Sequence, residues 1–270
     1  MNHPAPPSID CHAHIYTRAM PLAPDAWHHP PDDATDILFL ETLRMAGVGY
    51  GVLAAASLFG DYNDYSLTAT RAHSNLRTTV IVRPGIDRGI LRDMNDAGAV
   101  GIRLQLLNKP MPDLAAAGYR GLLRDIADLG WHVELHDHLH RLPDLITAVE
   151  NAGPAIVIDH FARPADPTDV NGRDFAAVLD AIARGRTWMK ISAGFRLSSR
   201  DTATAVLAAV QGVAGQERLL WGSDWPFANF EGQVDYSGAL AAYAALVPDP
   251  AVRTAIDRSG LAFYFPDRSA

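Results

Sequence analysis

The sequence predicts one (β/α)8 barrel over residues 1–270. Three observations point there: the chain length, a strict alternation of strand-like and helix-like runs, and polar residues that close several of the strands. At 270 residues the chain is near the ~250 typical of such barrels. Two small domains would also fit that length. No repeat, linker or low-complexity tract divides the chain.

The strand-like runs come first. They are Ser8–His14, Tyr50–Ala56, Thr78–Arg83, Ala99–Leu104, Trp131–His136, Ala155–His160, Thr187–Ser192 and Arg218–Asp224. Each is short and rich in Val, Ile, Leu or aromatic residues, as strands buried on both faces should be. Between and after them lie Ala/Leu-rich helical stretches, roughly 33–46, 61–76, 87–97, 114–129, 139–152, 173–185, 199–214 and 235–247. Asp87, Ser199 and Asp235 stand where N-caps belong. Strand–helix alternation implies a parallel sheet, and eight strands favour closure. An open doubly wound sheet is the alternative, but no GxGxxG or Walker pattern supports a nucleotide fold.

Composition narrows the function. The hydrophobic share of 48% allows a large core, and the single cysteine, Cys11, excludes an internal disulfide. The net charge is −8 with cations scattered singly, which disfavours nucleic-acid binding. No apolar run approaches the ~20 residues of a membrane helix. The start, MNHPAPPSID, has neither the basic nor the apolar part of a signal peptide. A cytoplasmic protein without a membrane partner is expected.

The chemistry-bearing residues fall at C-terminal strand ends, the face where barrel enzymes place catalysis. Strand 1 closes Asp10-Cys11-His12-Ala13-His14. His12 and His14 are two apart and point the same way, so they can chelate a divalent metal or grip a substrate oxygen. With strand alternation, Cys11 should face the helices as a small buried residue. Strand 8 closes at Asp224 within Trp221-Gly222-Ser223-Asp224-Trp225-Pro226. A carboxylate among apolar rings can have the raised pKa that suits a general base. Strand 6 closes Asp159-His160, and alternation lets only one face the lumen. His160 is the expected one, with Asp159 orienting a neighbour.

Arg103, Arg163 and Arg196 follow strands 4, 6 and 7, and His136 closes strand 5. An arginine fork at a barrel mouth suits a carboxylate, so these four are the expected substrate contacts. His138 and His140 fall in the following loop and are set aside. Strand phase also turns Glu134 into the barrel, where Lys190 can share its layer. A buried Glu134–Lys190 ion pair is expected, because each charge needs a partner. His12, His14, His160 and Asp224 supply enough donors for one tetrahedral zinc, while nearby arginines would weaken a cation's hold.

Three of these segments carry a resemblance: Asp-Cys-His-Ala-His at residues 10–14, Val-Ile-Asp-His-Phe-Ala-Arg-Pro at 157–164, and Leu-Trp-Gly-Ser-Asp-Trp-Pro at 220–226. Together they resemble the amidohydrolase superfamily, in the branch of pyrone-dicarboxylate and sugar-lactone hydrolases. Gly101-Ile102-Arg103 and Trp188-Met189-Lys190-Ile191-Ser192 fit it too. The resemblance implies a lactonase in which Asp224 activates water, while His12, His14 and His160 polarise the lactone carbonyl, directly or through a metal. Pyrone lactonase works without metal, and other relatives bind one zinc. Arg103 stands where a bridging Lys or Glu would be, so a binuclear centre is not implied. His136 replaces a tyrosine of the pyrone enzyme, and the loop Phe59-Gly60-Asp61-Tyr62-Asn63 differs. The expectation is a small anionic or polyhydroxylated lactone as substrate, with no required cofactor or at most one zinc. A metal-dependent decarboxylase of an aromatic or pyrone acid, and a noncatalytic binding barrel, are the alternatives.

Overall fold

The computed structural model describes residues 5–266. Eight parallel strands run in sequence order: β1 Ile9–Ala13, β2 Tyr50–Leu53, β3 Leu76–Val80, β4 Ala99–Gln105, β5 His132–His136, β6 Ala155–Ile158, β7 Thr187–Ser192 and β8 Leu219–Gly222. The ring closes where the Asp224 N–H donates to the His12 carbonyl (2.8 Å) and the His14 N–H to the Trp225 carbonyl (2.7 Å). Gly222 permits this seam. A Cβ there would sit 2.5 Å from the His12 Cβ, closer than two carbons can approach.

The helices α1 Asp36–Ala46, α2 Asp64–Ala72, α3 Arg88–Asp96, α4 Ala117–Asp128, α5 Leu142–Ala152, α6 Arg173–Ala183, α7 Arg200–Ala214 and α8 Tyr236–Leu246 wrap the barrel. Each lies within a stretch expected from composition. Asp87, Ser199 and Asp235 do cap α3, α7 and α8, accepting from the Gly89, Thr202 and Gly238 N–H groups. The helices bury one stripe against the strands, as α6 does with Phe175, Val178, Ala181 and Ile182. Burying the Phe, Val or Ile side chain contributes about 1.5–3 kcal/mol each. None of the described helices is long and apolar enough to cross a membrane.

Three expectations need correction. A further helix, α9 Pro250–Tyr264, follows α8. Its end brings Tyr264, with Phe265, into a cluster with Ile9, Val52, Val157 and Leu220. The third strand starts two residues early, because Leu76 pairs with Gly51 and is fully buried. The second, third, sixth and eighth strands stop short of their expected ends, at Leu53, Val80, Ile158 and Gly222. Cys11 is fully buried, as expected, and its Sγ packs on α9 beside Gly260 and Tyr264. The register of β1 slips between Asp10 and Ala13, and Asp10 accepts from Tyr236 Oη of α8 (3.1 Å).

Candidate active site

The histidines of β1 and the turn after β8 meet at the C-terminal mouth. Asp224 Oδ1 lies 3.5 Å from His12 Nε2, 3.4 Å from His14 Nε2 and 3.9 Å from His160 Nε2. His12 and His14 approach each other at 3.3 Å through their Nε2 atoms. His14 Nδ1 lies 2.7 Å from the Ala54 carbonyl. A carbonyl only accepts, so that nitrogen carries the proton.

The two polar residues after β6 do not alternate as a strand would. His160, Phe161, Ala162 and Arg163 all have φ between 50° and 62°, a left-handed run that costs non-glycine residues about 1 kcal/mol or more each. The turn starts as soon as β6 ends, and strand parity no longer applies. Asp159 and His160 therefore both reach inward. Asp159 Oδ2 accepts from Arg103 Nε (3.1 Å) and its second terminal nitrogen (2.9 Å), while His160 Nδ1 meets Ser192 Oγ at 2.9 Å. Only one of them was expected to do so.

Asp224 is also different from its expected electrostatic state. Burial pushes its carboxyl up, but His160, Arg196 and His14 outweigh burial and hold it well below the usual carboxylate range. Arg196 Nε bonds Asp224 Oδ2 at 2.7 Å, and the guanidinium stacks against Phe195 and Phe230. A raised pKa was expected because flanking aromatics were visible in sequence and the arginine, 28 positions away, was not assignable. Burial, then the Lys190 ammonium, holds the His12 imidazole well below its ordinary value. Burial does the same to His160. It also pushes His136 down to about 3, helped by Arg103. These rings are neutral at physiological pH.

Below the histidines lies an ionic layer. Lys190 Nζ is 2.6 Å from Glu134 Oε2 and 3.0 Å from His12 Nδ1. Arg103 Nε is 2.9 Å from Glu134 Oε1, and another of its nitrogens donates to the Ala55 carbonyl (2.9 Å). Arg103 was expected to hold substrate, yet it is 4% exposed and closed under these partners. Arg196 is likewise tied to Asp224 and to the Ala228 carbonyl. Arg163 is half-buried and makes no ion pair among the described residues. Arg196 and Asp224 are its charged neighbours. His136 sits T-shaped against His160 with ring centres 4.9 Å apart.

Three contributors were missed in sequence. Asp10 accepts from the Ser223 N–H (2.9 Å) and the His12 N–H (3.1 Å), and so pins the β1–β8 seam. Its carboxyl is pushed up to about 6 by burial, against those bonds. Ser192 supports His160. Gln105 and His136 are nearly buried, and their Oε1 and Nε2 atoms have no hydrogen-bond partner among the described residues. Gln105 is two residues past Arg103, so strand phase could have found it. A separate apolar cavity of about 660 Å3 opens between α7 and α8, lined by Phe161, Trp221 and Tyr243 among others. The acid–base groups do not converge there.

A carboxylate ringed by imidazoles at the C-terminal mouth of a (β/α)8 barrel defines a hydrolytic barrel enzyme. The chain belongs to the amidohydrolase family, whose profile matches residues 9–257. It is 27% identical over 261 residues to a 4-sulfomuconolactone hydrolase of Rhizobium radiobacter, covering 90% of this chain and 85% of that protein. A crystal structure from Pseudomonas putida, assigned as a 2-pyrone-4,6-dicarboxylic acid hydrolase, superposes with a TM-score of 0.88 at 36% identity, covering 96% of this chain and 97% of that one. The fold is shared with a zinc-bound amidohydrolase of Burkholderia multivorans (TM-score 0.76, 18% identity, 96% and 99% covered). Here His12, His14 and Asp224 bring their donor atoms within 4.8 Å of one another, as do His12, Asp159 and His160. Either set is compact enough for one cation.

Proposed function

We propose that this enzyme is a lactonase that opens a carboxylated cyclic ester. The observation that carries the reading is Asp224, an ionised carboxylate with three imidazole nitrogens within 4 Å, in a chain whose relatives include lactone hydrolases. Water attacks the ring carbonyl carbon and passes its proton to Asp224 Oδ1. His12 and His160, both neutral, donate Nε2–H to the developing oxyanion, the kind of preorganised stabilisation that is commonly the largest catalytic term. For His160 the Ser192 hydroxyl can donate to Nδ1 and leave Nε2 protonated. The ring C–O bond then breaks, and the leaving oxygen takes the proton that Asp224 received, which returns Asp224 to its ionised form.

Arg163, without an ion-pair partner beside this cluster, is the group we assign to the substrate carboxylate. His136 Nε2 and Gln105 Oε1 remain to bond further substrate oxygens. Arg103 and Arg196 act as positioning residues, the first for Asp159, the second for Asp224. The donor set fits a cation in size, but its hydrogen bonding does not. His12 would have to offer an Nε2 lone pair while its Nδ1 faces an ammonium at 3.0 Å, whereas metal-bound histidines donate that second nitrogen's proton to an acceptor. The acid–base steps use protein groups alone. The test is a panel of carboxylated pyrones and lactones in a pH-stat, run with and without chelator and with carbon dioxide measured alongside. Acid release that survives chelation supports the reading. Carbon dioxide release without ring opening overturns it.

A further inference from the structure

We propose that Lys190 sets the tautomer of His12, so that this ring shows the pocket an N–H instead of a lone pair, and that Lys190 thereby keeps the His12–His14–Asp224 set from taking up a divalent cation. The catalytic part of this inference rests on the lactonase reading; the tautomer and the cation exclusion do not.

Two observations at opposite ends of the histidine pair agree. At one end, Lys190 Nζ lies 3.0 Å from His12 Nδ1. An ammonium has three donors and no acceptor, so this contact is a bond only if Nδ1 accepts. A neutral imidazole that accepts at Nδ1 carries its proton on Nε2. At the other end, the Ala54 carbonyl holds a His14 proton on Nδ1, so Nε2 is the nitrogen left to accept. The 3.3 Å contact between the two Nε2 atoms then has one donor, His12, and one acceptor, His14, until a substrate oxyanion takes this N–H over. The chain Lys190 to His12 to His14 to Ala54 runs in one direction without a mismatched pair.

Asp159 is the competitor. Its Oδ1 lies 3.3 Å from the same His12 Nδ1 and is an acceptor, the partner a metal-bound histidine uses. If His12 gave its Nδ1 proton to Asp159, both β1 histidines would turn lone pairs toward Asp224, and a cation could sit among them. Lys190 blocks this at the shorter distance. It is held there by Glu134, and both side chains are fully buried, so the ammonium cannot swing away to water. Lys190 is thus a positioning residue. It touches no substrate and acts through the ring it orients.

Long-range 15N–1H correlation spectra of the histidine rings read the tautomer without substrate or metal. His12 in the unmodified enzyme is expected as the Nε2–H form. A dominant Nδ1–H form overturns the inference, whatever the enzyme does to lactones. The double substitution Lys190→Met with Glu134→Gln removes the ammonium and its counter-ion together. In that variant His12 is expected to switch to Nδ1–H, and zinc affinity, followed by titration calorimetry with zinc alone, to rise about 10- to 100-fold, the scale of effects on metal affinity from outer-shell partners. Unchanged zinc affinity with an intact circular dichroism spectrum overturns the exclusion. If the variant does not fold, the spectrum of the unmodified enzyme still decides the tautomer, and with it the inference. Failure of the lactonase reading would show separately, as no turnover alongside an Nε2–H His12.

Discussion

Lys190 and Glu134 meet at 2.6 Å in the middle of the barrel with neither side chain exposed to solvent. β5 and β7 each turn one charge inward, and Arg103 and Asp159 complete a four-membered layer around them. Removing one member leaves its partner charged and dry. Lys190→Met alone is expected to destabilise the enzyme by about 3–5 kcal/mol. The double substitution with Glu134→Gln should cost less than the sum of the two single changes. Urea denaturation of the four proteins measures the coupling, and strict additivity would show that the pair acts independently.

Asp224→Asn is expected to keep the fold and lose about 100- to 10,000-fold in kcat, because an amide cannot take the proton of water. The amide can still accept from Arg196 Nε, so the melting temperature should change little. Near-normal turnover would remove Asp224 from the role of base.

Arg163→Met is expected to raise KM for a carboxylated lactone about 10- to 100-fold while leaving kcat near its original value, since a charged hydrogen bond contributes about 1.5–3 kcal/mol. An uncharged lactone should be handled equally by both proteins. Equal losses on the two substrates would count against a carboxylate contact.

Asp257 offers a pH prediction away from the active site. It accepts from the Ser8 N–H at 2.7 Å, and burial pushes its carboxyl up to about 6, against that bond and Arg253. The folded state therefore binds this proton more tightly than the unfolded state does. That contribution is fully present below the ordinary value near 4 and is lost as pH rises through about 6. Asp257→Asn has no such proton. Relative to the variant, the unmodified enzyme should lose stability between pH 4 and 6 and change little above 7. Parallel denaturation curves at each pH check this, and a difference that grows with pH would reverse the sign.

Sequence by itself determined the barrel, because strand–helix alternation is local and each run carries its own periodicity. It also determined which residues arrive at the mouth, since His12, His14, His160 and Asp224 sit at strand ends wherever the strands go. The inward turn of Glu134 followed from a period of two counted back from His136. Tertiary structure decided everything that depends on a departure from that period or on a partner far along the chain. Asp10 found its partners, Ser223 of the turn after β8 and Tyr236 of α8, more than 200 positions away. The left-handed turn after β6 let Asp159 and His160 point the same way. Arg103 became part of the interior, and Arg163 was left beside the cluster without an ion pair among the described residues. Asp224 was held ionised by His160 and Arg196, opposite to what its aromatic neighbours suggested. Hydrogen bonds and charges act through space over a few ångströms, so a residue's protonation and function depend on neighbours that its position in the chain does not reveal.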